Sequence, residues 1–383
     1  MHVVVLGAGY AGLTLTRLLE ADLPEEAEIT LVDESPDHLV QHELHRVIRR
    51  PELAAAITVG LPEVLERATV RVARVEEIDR DERVVSLSTG ALSYDVAAIC
   101  LGARTAYYGL EGVPEHGIPL KRLAHARRIR RRALEALRDD GRIVVGGAGL
   151  SGVQVAGELA ALAREERGSA SIEVLEQRER VAPGFSTDFG DAIARALEDD
   201  DIEIRTGTAV VGADESGIRL ESGERLPSDL FVWTGGIRGP DALGGDRPAV
   251  DGDLRLDDHA FALGDAARVV DADGEAVPAS AQAAVREART AAENIERLVG
   301  ARLDGVETFE PDLESFTFES PGWVVSVGDD AVATVGSQIL TGRPAKALKA
   351  SVGVGYLSGV GDAGNAAGFA YREFVPDRFR RDR

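Results

Sequence analysis

Two glycine patterns of one form, Gly7-Ala8-Gly9-Tyr10-Ala11-Gly12 and Gly147-Ala148-Gly149-Leu150-Ser151-Gly152, restrict this chain more than any other feature. The first follows the apolar run Val3 to Leu6 and opens a helical segment, Leu13 to Leu19; the second follows Ile143 to Val145 and opens Val153 to Leu162. Strand, tight turn and helix need glycine three times: for the sharp turn, for close backbone approach to a pyrophosphate, and for tight packing of helix on strand. The pyrophosphate then rests on the positive end of the helix. About 20 residues beyond such a loop a carboxylate is expected to hold the adenosine ribose. Here Ile29 to Val32 leads into Asp33, and Ile172 to Leu175 leads into Glu176. With 42 glycines a single match could be a chance turn, but two in the same full context predict two bound dinucleotides and electron transfer between them. A carboxylate at Glu176 repels a 2′-phosphate and favours NAD over NADP, although Arg178 two residues on could tolerate the phosphate.

At 383 residues the chain is expected to form two or three domains, each with its own core. Its one cysteine, Cys100, lies in the apolar run Val96 to Leu101, which excludes an intramolecular disulfide or a dithiol redox centre and suggests buried packing. Acidic residues outnumber basic ones 66 to 43, a net charge of −23 that opposes general nucleic-acid binding. Only Lys121, Lys346 and Lys349 are lysines, so an acidic, lysine-poor surface suggests adaptation to concentrated salt; an arginine-biased genome would give the same composition. No uncharged segment reaches the ~18 residues of a membrane span. The uncharged first 16 residues lack a basic leader and belong to the first glycine motif, which argues against a secretory signal.

Residues 1 to about 112 read as β-α-β with further strands at Thr69 to Val75, Val84 to Leu87 and Val96 to Leu101, implying a parallel sheet covered by helices. Glu111 to Pro114 reads as a linker, and the basic stretch from Lys121 to Arg132 as a solvated helical face or an electrostatic docking patch. The second β-α-β unit runs from Arg142 to Thr234-Gly235-Gly236. Ala260 to Ala267, with its Gly264-Asp265 pair, and an alanine-rich helix from Ala279 to Leu298 then read as a return to the first domain. Trp323 to Val327 and Ala331 to Val335 suggest a hairpin in a separate C-terminal module. His38, His42 and His45 could cluster on a helix, but no further metal ligands accompany them.

Taken in order, these motifs resemble the two-dinucleotide flavoprotein superfamily and, within it, the type II NADH dehydrogenases, which are single-chain NADH:quinone oxidoreductases. The resemblance rests on both fingerprints, Leu101-Gly102-Ala103, Gly157-Glu158-Leu159-Ala160, Val232 to Gly236, Leu263 to Ala267 and Ala281-Gln282-Ala283-Ala284. It implies an α/β fold with two Rossmann-like three-layer domains, the NAD domain (113–244) inserted in a discontinuous FAD domain (1–112 and 245–310), plus a small α+β module (311–383) for membrane-surface or dimer contact. FAD is then expected on Gly7, Gly9, Tyr10, Ala11, Gly12, Asp33, Val75, Gly102, Ala103, Gly264, Asp265, Ala281 and Gln282. NADH is expected on Gly147, Gly149, Ser151, Gly152, Glu176 and Gly236. Glu158, near the nicotinamide, and Gln282, at the flavin ring, are the expected catalytic residues; no metal is implied. The family pattern A-Q-x-A-x-Q-Q keeps only its first glutamine here, with Arg286 and Glu287 in place of the last two, and Arg286 could serve as a donor to a quinone oxygen. The missing thiols exclude the sulfide:quinone reductases as a reading.

By the same resemblance, hydride passes from NADH to the flavin and electrons then pass to quinone. Small residues at Gly102-Ala103 and Thr234-Gly235-Gly236 permit stacking, and helix N-termini at Leu13 and Ala281 favour negative charge. Quinone is membrane-soluble, so a peripheral site on the inner face of the cell membrane is expected for an otherwise cytoplasmic protein. The stretch Ala331 to Gly361 has no acidic residue, and residues 343–356 could form a weak interfacial helix on anionic lipid, with Ala345, Leu348, Val352 and Tyr356 on one face and Lys346 and Lys349 at its edge. The same helix could instead cover a core or a homodimer contact. Two other functions fit the sequence: a soluble NADH-dependent flavin reductase serving a small redox protein, and a non-catalytic NAD-responsive flavoprotein.

Overall fold

The computed structural model describes residues 1–305, 312–362, 364–367 and 370; the expected boundary at 310/311 and the end of the 311–383 module lie outside them. Val3, Val4, Val5 and Leu6 are fully buried, as a central parallel strand covered on both faces requires. That strand, His2–Leu6, lies within a six-stranded sheet in the order Arg255–Asp257, Ala260–Ala262, Val96–Ile99, His2–Leu6, Glu28–Asp33, Thr69–Val72. Every neighbouring pair is parallel except the outermost, where Arg255–Asp257 runs antiparallel to Ala260–Ala262. The first fingerprint helix, Tyr10–Asp22, packs against the long helix Ala281–Leu303.

A second sheet, parallel throughout, has the order Gly117–Ile118, Leu230–Trp233, Arg142–Gly146, Ser171–Leu175, Glu203–Arg205. It is built from chain lying between Val96–Ile99 and Ala260–Ala262, which are hydrogen-bonded neighbours in the first sheet. The chain leaves and returns side by side: Arg104–Thr105 pairs antiparallel with Ile237–Arg238. The basic stretch forms the helix Leu123–Arg138, with Ala126, Ile129 and Ala133 fully buried and Arg127, Arg128 and Arg131 exposed.

Two strand expectations need correction. The run Thr69 to Val75 breaks after Val72, whose pairing with Asp33 is the last of the parallel ladder, and Val75–Asp79 starts a separate antiparallel sheet with Val84–Leu87 and Gly90–Ser93. Val84 to Leu87 therefore does not extend the parallel sheet.

The C-terminal hairpin, Gly322–Val327 with Asp330–Val335, gains a third strand, Gln338–Thr341, and the helix Arg343–Gly359. This module sits directly on the second fingerprint helix, Leu150–Glu166. Gly157 there has no room for a side chain, since a Cβ would overlap the Gly328 amide nitrogen at the hairpin turn. Among the described residues no helix is long and apolar enough to cross a membrane.

Candidate functional site: two dinucleotide cradles

The two glycine loops are built alike. Gly7 (φ 101°) and Gly147 (φ 103°) occupy backbone conformations that side chains resist. A Cβ on Gly12 would overlap the Gly7 carbonyl oxygen, and one on Gly152 the Gly147 carbonyl oxygen, so both third glycines bring helix onto loop. Gly9 and Gly149 have nothing within 4 Å of where a Cβ would sit. These open positions, each at a helix N-terminus, fit a pyrophosphate.

The carboxylates do more than the sequence indicated. Asp33 Oδ2 accepts the Ala8 amide at 2.6 Å and Oδ1 the Ser35 amide at 2.9 Å. Glu176 Oε2 accepts the Ala148 amide and Oε1 the Arg178 amide, each at 2.9 Å. Each acid therefore locks its own glycine loop while keeping lone pairs for ribose hydroxyls. Burial raises the Asp33 pKa, against the lowering effect of the Ala8 and Ser35 bonds. Arg178 contributes its backbone here. Val75 opens the strand Val75–Asp79, two residues after Ala73, whose amide donates to the Asp33 carbonyl at 2.7 Å. Ser151 is exposed at the start of the second helix.

Between the cradles, Gly102 (φ 63°) and Ala103 precede the outgoing crossing strand, and Gly236 (φ 148°) precedes the returning one. Gly264 (φ 67°) faces the first fingerprint helix, where a Cβ would stand 3.2 Å from that of Ala11. The Asp265 carbonyl accepts from Arg247 Nε at 2.8 Å. Ser280 caps the long helix by accepting the Ala283 amide at 3.1 Å, so the N-terminus at Ala281 is well formed. Gln282 Nε2 donates to Ser320 Oγ at 3.0 Å. Arg286 donates to the Glu319 carbonyl and lies 5.9 Å from the centre of the Phe318 ring, so this candidate quinone donor is already engaged by the strand-less segment above it.

Sequence reasoning missed two residues. Glu287, one of the two departures from the family pattern, is 2% exposed and accepts the Gly264 amide at 2.5 Å. Burial pushes its pKa up to about 7. The only available signal was an acid in place of the last glutamine, and a glutamine oxygen could accept the same bond. Lys121, read as part of the basic helix, precedes it and is half-buried; burial lowers its pKa while the charge of Asp265 opposes the shift.

Glu287 gives a stability prediction. A carboxyl whose folded pKa is about 7 against 4.5 unfolded contributes stability below pH 4.5 that is lost as pH rises through 7. Glu287→Gln keeps the acceptor and removes the charge. The variant is expected to match the parent melting temperature at pH 5 and exceed it at pH 8.5, as followed by differential scanning calorimetry.

Glu158 lies midway along the second fingerprint helix. It lies eight residues beyond Leu150, about 12 Å along the helix, is 2% exposed, and faces Arg49 Nε at 2.9 Å. Burial pushes Glu158 up to about 7 despite Arg49, which also reaches Asp329 at 2.8 Å and so ties the helix to the C-terminal hairpin.

The three histidines separate into polar pairs. Tyr10 Oη and His42 Nδ1 are 2.5 Å apart; His38 Nδ1 donates to the Ala8 carbonyl at 2.7 Å, and its Nε2 accepts from Tyr356 Oη at 3.0 Å. His45 Nε2 lies 2.8 Å from Ser326 Oγ. Burial lowers His38 and His42 to about 4, so both are neutral at pH 7. Among the described residues no group of three or more His, Cys, Asp or Glu could hold a metal.

The helix Arg343–Gly359 turns its expected membrane face inward. Ala345 is fully buried, Leu348 is partly buried, and Tyr356 packs on Tyr10 with ring centres 4.7 Å apart; only Val352 of that face points out, 46% exposed. Lys349 bonds to buried Glu43 at 3.0 Å. A sheet and a histidine–tyrosine cluster lie under the helix, and sequence periodicity cannot distinguish such a covering helix from an interfacial one. Arg343 and Lys346 remain exposed.

With this geometry established, a family model described as pyridine nucleotide-disulphide oxidoreductase matches residues 1–288. The chain belongs to that family. The disulphide in the family's description has no counterpart here, because Cys100 is the sole cysteine and is buried, with its thiol pKa raised by burial. A curated relative, the type II NADH:quinone oxidoreductase of Staphylococcus aureus (strain NCTC 8325 / PS 47), is 29% identical over 398 residues, covering 95% of this chain and 97% of its own. Among solved structures, NDH2 from Plasmodium falciparum in complex with NADH superposes with TM-score 0.83 at 15% identity, covering 99% of this chain and 98% of that one. The sulfide:quinone oxidoreductase of Aquifex aeolicus gives TM-score 0.79 at 17% identity, covering 100% and 96%. At these identities the structural matches establish the fold.

Proposed function

We propose that this protein is a flavoenzyme of the NADH:quinone oxidoreductase type, holding FAD in the unit formed by 1–112 and 245–310 and taking NADH in 113–244. One observation carries the reading: two cradles of the same construction, each closed by its own carboxylate, joined where Arg104–Thr105 and Ile237–Arg238 cross. FAD, when bound, supplies the two-electron carrier between hydride donor and quinone.

The protein positions and insulates. The amides beyond Gly9 and Gly149 bind phosphates; Asp33 and Glu176 orient the adenosine ends; Gly102, with nothing within 4 Å of where a Cβ would sit, leaves open space at the crossing where two flat rings meet. Helix N-termini at Tyr10 and Ala281 favour negative charge at the flavin. Gln282, at the second of these ends, is the side chain we assign to the quinone side. Glu176, fixed by two amides, favours a free 2′-hydroxyl, so NADPH is expected to be the poorer donor. The test is NADH consumption by the purified yellow protein with a panel of quinones and one-electron protein acceptors. Turnover with protein acceptors alone would replace the quinone reading.

For membrane contact on the inner face we assign the outward side of the C-terminal helix, with Arg343, Lys346 and Val352. Arg343→Glu combined with Lys346→Glu is expected to abolish co-flotation with phosphatidylglycerol vesicles at low salt and leave the melting temperature unchanged. Binding that survives the double change would place the contact elsewhere.

A further inference from the structure

Tyr107, Tyr108 and Gly109 form a tight turn closed by the Leu110 amide on the Tyr107 carbonyl at 2.9 Å, with both central residues left-handed, Tyr108 at φ 52° and Gly109 at φ 70°. Such a turn favours asparagine before glycine, and an aromatic residue is strained in this conformation. Core packing does not explain the tyrosine, because it is 67% exposed, the most exposed large hydrophobic among the described residues. Nor is the turn loosely placed. Ala106 donates its amide to the Gly236 carbonyl at 3.0 Å and accepts the Trp233 indole N–H at 2.8 Å, which fixes the turn on the end of the strand Leu230–Trp233. The Tyr108 hydroxyl fills the space that a side chain on Gly236 would occupy.

Sheet order says which half of a dinucleotide lies there. Arg142–Gly146, which carries the glycine loop, has Ser171–Leu175 on one side and Leu230–Trp233 on the other. Glu176 follows the former and holds the adenosine end, so a dinucleotide crossing the loop lays its other half over Thr234-Gly235-Gly236. A strained, exposed, rigidly mounted aromatic at that spot is the kind of outlier that marks a ligand contact. We propose that Tyr108 is a positioning residue for NADH, forming the outer wall against which the nicotinamide-ribose half packs. This rests on NADH being the hydride donor.

Tyr108→Asn separates function from structure, since asparagine relieves the strained turn while removing the wall. The flavin-loaded variant is expected to melt at or above the parent temperature. Its Kd for NAD⁺ by titration calorimetry and its KM for NADH should both rise about three- to tenfold, with the KM for quinone unchanged. Unchanged NAD⁺ affinity, or affinity lost together with thermal stability, would overturn the proposal while leaving the NADH:quinone reading intact. A parent holoprotein that binds no NAD⁺ would overturn both.

Discussion

A Gly12→Ala protein is expected to purify colourless, while Gly152→Ala purifies yellow but is no longer reduced by NADH. In each case the added methyl overlaps the carbonyl oxygen of the first glycine of its own loop, Gly7 or Gly147. These are contacts with backbone atoms, and no side-chain rotation relieves them. The helix has to shift off its strand, and the amides beyond Gly9 or Gly149 move with it. Displacing a bound group by even about 1 Å can cost on the order of a hundredfold in rate, and the loss of a whole phosphate cradle costs more. The measurements are the flavin-to-protein absorbance ratio after purification and anaerobic bleaching by NADH. Equal flavin content in the Gly12 variant, or normal bleaching in the Gly152 variant, would show that the cofactors lie elsewhere.

Removal of Glu43 is expected to produce the largest loss of stability. This residue, 1% exposed, sits between Lys349 at 3.0 Å and Arg46 at 2.9 Å, with His42 Nε2 at 3.5 Å. Burial by itself would raise its pKa, but its charged neighbours, Lys349 foremost and Arg46 with it, outweigh burial and hold it well below the usual carboxylate range. Its ionised form therefore stabilises the fold above the ordinary value of 4.5, and the contribution is lost as pH falls below that. Glu43→Ala leaves two cations facing each other in a closed site and is expected to cost about 3–5 kcal/mol in urea unfolding at pH 7. The difference from the parent should shrink toward pH 3. Lys349→Glu should be destabilising for the same reason, whereas Lys346→Glu, on the exposed side of the helix, should not.

Much of this architecture was legible because its causes are local. Val3 to Leu6 and Ile143 to Val145 read as buried parallel strands from composition alone, and the glycines that follow are dictated by turn geometry that no other residue adopts cheaply. Asp33 and Glu176 were found by their spacing, yet their bonds to Ala8 and Ala148 were not, since spacing records distance along the chain and not which amide a carboxylate turns toward. The C-terminal helix shows the reverse case. Lys346 and Lys349 look alike in sequence, three residues apart on a chain short of lysine. One is exposed and the other is bonded to Glu43, 306 positions away.

Glu158 and Glu287 follow the same division. Both lie on alanine-rich helices whose buried stripes periodicity reveals, and both are acids on those stripes. Whether such an acid meets a guanidinium, as Glu158 meets Arg49, or a backbone amide, as Glu287 meets that of Gly264, depends on segments folded in from elsewhere.

The sequence by itself determined that the chain folds around two dinucleotide cradles, because backbone turn geometry and strand burial are short-range effects written in consecutive residues. Only the tertiary structure decided how the cradles face each other across the crossing strands, which helix face is covered, and which buried charges find partners. Those outcomes depend on desolvation and Coulomb energy between groups far apart in the chain, and these are set by packing rather than by the order of neighbouring residues.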